Sequence, residues 1–228
     1  MISWLAHLYT ASGAVLALAA TFAVFEGRFR DAFLLLCVTT FIDTTDGWLA
    51  RALDVKGRLP GYDGARLDDI VDYLTYVFVP MLLVMRAGLL PPGWEVSVAA
   101  LVLLASAYGF GQADAKVATT DYFFTGFPSY WNIAALYLYV LGLPPIVNAT
   151  ILIVLAVLVF VPIRYVYPSR TVTLRVPTLA LGALWAVFVI VVVWRLPATD
   201  GPWLALSLVF PVYYTVLSFY LHARHQTD

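Results

Sequence analysis

Long apolar runs, separated by short clusters of turn-forming and charged residues, recur from one end of the chain to the other. A helix that crosses a bilayer needs about 20 mostly apolar residues. The pattern predicts eight such spans, beginning near Ser3, Asp31, Leu67, Trp94, Phe127, Pro145, Arg175 and Pro202, the fifth of them short. Between them stand "EGRFRD", "KGRLPGYDGA", "LLPPGWE", "GLPP", "YPSRTVTLRVP" and "LPATDGP", rich in the Gly, Pro and charged residues that end helices. The first run has neither a basic leader nor a small-residue cleavage site, so it is expected to remain as a span. The expected architecture is an all-α integral membrane protein of about eight transmembrane helices, organised as a single domain over residues 1–228.

Composition strengthens that picture. Hydrophobic residues make up 62% of the chain and charged residues 12%, and the mean hydropathy is +0.88, which leaves no stretch for a separate soluble domain. A net charge of -1 without any basic stripe gives nucleic acid nothing to bind. The single cysteine, Cys37, excludes an internal disulfide and reads as a small hydrophobe in an apolar helix. With eight crossings, Arg51, Lys56, Arg58, Arg66, Lys116, Arg164, Arg170, Arg175 and Arg224 share one side of the membrane, whereas Arg28, Arg30, Arg86 and Arg195 occupy the other. Because Lys and Arg concentrate in cytoplasmic loops, both termini are expected in the cytoplasm.

Against this apolar background the stretch "DTTDGWLAR", residues 43–51, stands out at the cytoplasmic end of the second span. Asp43, Asp46, Gly47, Ala50 and Arg51 recur at helical spacing and so share one helix face. In "GARLDDIVD", Gly64, Asp68 and Asp72 do the same at the start of the third span. Carboxylates on neighbouring helix positions repel by ~3 kcal/mol per pair at an effective dielectric near 20. Arg51 cannot balance four of them, so either several are protonated or divalent cations bind between the helices. An all-oxygen donor set suits hard cations, Mg2+ or Mn2+, for which substrate phosphates are habitual further ligands. Gly47, Ala50 and Gly64 leave room for a nucleotide on the same faces. Taken singly, each of these residues is as well explained by capping, snorkelling or helix packing; jointly, ionisable groups within a membrane point to function. Asp54, Asp63 and Asp69 fall off the two faces and read as solvated loop or helix-start charges.

The residues Asp43-x2-Asp46-Gly47-x2-Ala50-Arg51, twelve further residues, then Gly64-x3-Asp68-x3-Asp72 resemble the signature of the CDP-alcohol phosphatidyltransferase family. Most members have a spacer of eight residues. The spacer of twelve is typical of the bacterial branch that makes phosphatidylcholine, and "HLYTASG", "LDDIVDYLTYVFVP", "TDYFFTGFPSYWN" and "FVPIRYVYPSR" are similar to that branch as well. The resemblance implies the family's fold, CDP-diacylglycerol, choline and membrane lipids as partners, and a multi-pass place in the bacterial inner membrane with a cytoplasmic active site. It implies a pair of Mn2+ or Mg2+ ions held by Asp43, Asp46, Asp68 and Asp72, with Asp68 and Asp72 catalytic and Asp72 either a ligand or the general base. It implies a CDP site made by Asp43, Asp46, Gly47, Ala50, Arg51 and Gly64. Family members are often homodimers, and that expectation extends here.

Choline carries a quaternary ammonium, for which aromatic faces and a nearby carboxylate are the available recognition chemistry. Tyr73 and Tyr76 beside the carboxylates, and Tyr122 and Trp131 in "DYFFTGFPSYWN", are the candidates, although interfacial belts also consume aromatic residues. Serine, inositol phosphate and ethanolamine are rival acceptors, but an anionic acceptor would call for basic neighbours where this chain is aromatic and acidic. A divalent-cation transporter would spread polar groups through the membrane depth rather than cluster them at one edge.

Overall fold

The structure, a computed structural model, describes residues 2–112, 116–117, 123–168 and 170–224. Helices are found at each of the eight predicted places: α1 (Ile2–Phe25), α2 (Phe29–Ala52), the segment from Gly64 to Arg86, α6 (Glu95–Gly111), α7 (Trp131–Leu141), α8 (Pro145–Phe160), α9 (Arg175–Arg195) and α10 (Trp203–Arg224). Among the described residues, α1, α2, α9 and α10 are long and apolar enough to cross a membrane. The α6, α7 and α8 helices are apolar but shorter.

The spacer after Arg51 contains a single extra turn, α3 (Val55–Arg58), anchored by the buried Val55. The third predicted span starts earlier than hydropathy suggests. Asp63 caps its first turn, its carboxylate accepting a hydrogen bond from the Arg66 backbone N–H at 3.1 Å, the helix-start role its place off the acidic face suggests. From there α4 (Gly64–Asp72) passes into a π-helical stretch, Tyr73–Phe78, and then into α5 (Val79–Arg86). Pro80 accounts for the widening: in a regular α-helix its ring would press on the Tyr76 carbonyl and its missing N–H would leave that carbonyl unpaired.

The chain forms two compact units, residues 1–99 with 130–146, and residues 100–129 with 147–228. In the first, α1 packs against α2, α4 and α5, while α7 packs on α5 and on the π-helical stretch. On α1 most of the buried positions are small, Ala6, Ala17, Ala20 and Ala23 among them, whereas Trp4, Leu8, Val15, Leu18 and Phe22 are exposed. Small inside and large outside is the reverse of a water-soluble helix, and it is what lipid as the outer solvent favours. Gly13 lets α4 close in, because a Cβ there would lie 2.6 Å from Val71 Cγ1. The buried face of α2 runs Ala32, Phe33, Leu36, Thr39, Ile42 and Asp46 at helical spacing, so Asp46 ends an otherwise nearly apolar interior stripe.

The second unit contains something the hydropathy pattern did not reveal, a small antiparallel sheet of β1 (Lys116–Val117), β2 (Phe123–Thr125) and β3 (Arg164–Val166). Its apolar side, Phe123 and Val166, packs with Leu217 and Leu221 of α10. One face of α10 also satisfies the outer edge of β3. Ser218 Oγ accepts from the Val166 N–H at 3.1 Å, His222 Nδ1 from the Arg164 N–H at 3.2 Å, and Tyr214 donates to the Val166 carbonyl at 3.0 Å. A sheet edge covered in this way offers no template for pairing with another chain.

Candidate active site

The site lies within the first unit. From α2 comes Asp43, and from α4 come Asp68 and Asp72; each offers one carboxylate oxygen such that all three lie within 4.8 Å of one another. All three side chains are partly buried. Helical spacing explains Asp68 and Asp72, one turn apart on one helix, whereas their approach to Asp43 is a product of tertiary packing. Charges that close repel by about 3 kcal/mol per pair at an effective dielectric of 20, a load that a bound cation or a shared proton relieves. Three hard oxygen donors at one point fit a divalent ion such as Mg2+ or Mn2+.

Asp46 lies beside this triad rather than within it. The residue is 8% exposed, its carboxylate accepts a hydrogen bond from Thr10 Oγ1 of α1 at 2.8 Å and meets the carboxyl of Asp68, and it lies in the field of the Arg51 charge. Two carboxyl groups in hydrogen-bond contact share a proton or a cation, so Asp46 belongs electrostatically to the same centre. Asp43 is held from the other direction: Tyr76 donates its phenolic hydrogen to Asp43 Oδ2 at 2.7 Å.

The small residues of the two acidic faces are in close packing. Arg51 folds back over Gly47, whose hypothetical Cβ would lie 3.3 Å from Arg51 Nη1. At Gly64 a Cβ would come within 2.7 Å of His7 Cε1, so the imidazole of α1 occupies the space a side chain would take. His7 in turn lies against Tyr62, ring centroids 4.4 Å apart and planes tilted by 50°, with Trp4 edge-on to both. Ala50 is half-buried on the same helix face as Gly47.

The aromatic candidates part company. Tyr76 is buried beside Asp43, with the ring of Tyr130 6.2 Å away. Tyr73 directly follows Asp72 and is half-buried. Trp131 is wholly buried at the start of α7. Phe123 and Phe124 serve the second unit, the first in its apolar core and the second stacked on Tyr167 at 4.3 Å. Tyr122 and Asp121 lie outside the described residues. Sequence reasoning passed over Thr10 and gave Tyr76 only its ring. The available signal was a polar residue in an otherwise apolar span, which hydrogen bonding between helices explains as readily.

Fold and site together define a helical membrane protein with a carboxylate triad able to hold a metal ion. No protein-family model matches the chain. Curated relatives do. Phosphatidylcholine synthase of Legionella pneumophila is 40% identical, covering 96% of this chain and 88% of that protein. The phosphatidylcholine synthase of Pseudomonas aeruginosa is 35% identical, over 91% of this chain and 88% of its own length. That of Borreliella burgdorferi is 31% identical, over 97% and 94%. The chain belongs to the phosphatidylcholine synthase family.

Proposed function

We propose that this chain transfers the phosphatidyl group of CDP-diacylglycerol to choline, giving phosphatidylcholine and CMP, at a divalent-cation site in its first compact unit. The observation that carries the reading is the convergence of Asp43, Asp68 and Asp72 from two helices, at the positions of a CDP-alcohol phosphatidyltransferase signature, in a chain so similar to phosphatidylcholine synthases. Residues 1–228 serve as one catalytic domain, with eight spans, and both termini and the site face the cytoplasm of a bacterial inner membrane. The distribution of Lys and Arg supports that orientation, since nine of the thirteen lie on the side assigned to the cytoplasm.

Asp43, Asp68 and Asp72, with Asp46 alongside, would hold the cations. When bound, such a pair neutralises charge on the transferring and leaving phosphate oxygens. Arg51, permanently charged and forked, grips the diphosphate, with Gly47 and Ala50 keeping that face of α2 low for the nucleotide and Gly64 admitting the imidazole of His7 beside it. The choline oxygen forms its bond to the β-phosphorus as the bond to CMP breaks, and the hydroxyl proton passes to Asp72. Tyr73 and Tyr76 face the ammonium, and Trp131 of α7 backs them. Acyl chains stay in the surrounding lipid.

Purified protein in lipid nanodiscs, given CDP-diacylglycerol and each labelled alcohol in turn, is expected to form lipid and CMP with choline only, and only with added Mn2+ or Mg2+. Asn in place of Asp43, Asp46, Asp68 or Asp72 is expected to abolish CMP release in a protein that still inserts. Near-normal turnover in two or more of those four variants defeats the assignment, and product with serine but not choline reassigns the acceptor.

A further inference from the structure

Two hydroxyl groups from outside the acidic signature aim at its carboxylates. In a membrane helix a threonine hydroxyl ordinarily donates to the carbonyl one turn back, and this chain provides the comparison: Thr21 to Ala17 at 2.9 Å, Thr40 to Leu36 at 2.9 Å, Thr44 to Thr40 at 2.7 Å. At Thr10 that contact with Ala6 is stretched to 3.4 Å, while Asp46 Oδ2 lies at 2.8 Å. A hydroxyl has one proton to give, and the shorter, charged acceptor takes it. Tyr76, brought alongside Asp43 by the π-helical stretch, donates to Asp43 Oδ2 at 2.7 Å. Thr10 and Tyr76 are both buried.

We propose that Thr10 and Tyr76 are positioning residues, whose hydroxyls orient Asp46 and Asp43 so that each carboxylate presents its other oxygen to the cation site. This rests on the cation-binding reading above. A carboxylate with one oxygen tied down loses rotational freedom, and a donor at that oxygen offsets the loss of water in a membrane interior. Packing alone would be served as well by valine and phenylalanine, which fill the same volumes without a proton to donate. The phenol of Tyr76 therefore has two separable parts, a hydroxyl for Asp43 and a ring for choline.

The test is a Mn2+ titration of the purified full-length chain in nanodiscs, following loss of the free-ion electron paramagnetic resonance signal, with choline and CDP-diacylglycerol Michaelis constants measured alongside. Thr10→Val and Tyr76→Phe are each expected to weaken Mn2+ binding by about tenfold, with the choline constant unmoved. Thr10→Ser, which restores the hydroxyl, is expected to restore Mn2+ affinity, and Thr21→Val, at a back-bonded threonine, to leave it unchanged. Wild-type affinity in both Thr10→Val and Tyr76→Phe overturns the proposal and spares the cation site. So does a Tyr76→Phe effect confined to choline. No Mn2+ binding by the wild-type chain overturns the cation reading and the positioning roles together.

Discussion

Asp46 shows how much one buried group has to be given. At 8% exposure it cannot rely on water, and it is supplied with a hydroxyl from Thr10, a carboxyl neighbour in Asp68 and the positive charge of Arg51. Tyr76 serves Asp43 in the same manner, and in the proposed function its ring faces choline. The two parts of Tyr76 should separate by mutation. Tyr76→Ala removes ring and hydroxyl and is expected to raise the Michaelis constant for choline roughly tenfold, as a lost cation–π contact of ~1–2 kcal/mol would, while that for CDP-diacylglycerol changes less. Initial rates at varied choline, set beside those of Tyr76→Phe, check it; equal rises for both substrates remove the ring from the choline site.

Elements meet at this site because their contact positions are small. Gly13 brings α1 to Val71, and Gly64 receives His7, so α1 and α4 approach closely on either side of the level of Thr10 and Asp68. Gly64→Ala forces a Cβ against the imidazole and is expected to lower thermal stability by ~1–3 kcal/mol, the usual cost of overpacking. Adding His7→Ala should recover that stability, since the clash lies between these two side chains. A double variant as unstable as Gly64→Ala alone places the strain elsewhere. If stability returns and turnover does not, Gly64 is required bare by the nucleotide as well. The π-helical stretch belongs to this scale too: Pro80 imposes a local widening, and the widening carries Tyr76.

For the whole molecule, the test is orientation. With the site on the cytoplasmic side, a cysteine at the exposed Lys56 position in a Cys37→Ser background should react with a membrane-impermeant maleimide in inside-out vesicles but not in right-side-out ones. A cysteine at the exposed Glu26 position should show the opposite pattern. Matching labelling of both in the same vesicles contradicts the orientation. The acidic residues gathered at the site belong to the first unit. The second unit contributes the small sheet and the helices α9 and α10, whose large exposed side chains, Val176, Val187 and Trp194 among them, suit a lipid environment.

Hydropathy alone located the helices, because a bilayer demands long apolar runs and tolerates few exceptions, so that "DTTDGWLAR" and "GARLDDIVD" announce themselves. Periodicity alone placed Asp68 and Asp72 on one face, since 3.6 residues per turn is a local property of the chain. The sheet from Lys116 to Val166 was not legible, because strands of two or three residues leave no periodic trace and owe their existence to partners distant in sequence. Nor were the hydroxyls of Thr10 and Tyr76, since a threonine has an acceptor in its own helix and only the approach of a neighbouring helix draws its proton away. Which residues carry charge was written in the chain; which groups hold those charges in place was decided by packing, where hydrogen-bond distance between separate helices first has a meaning.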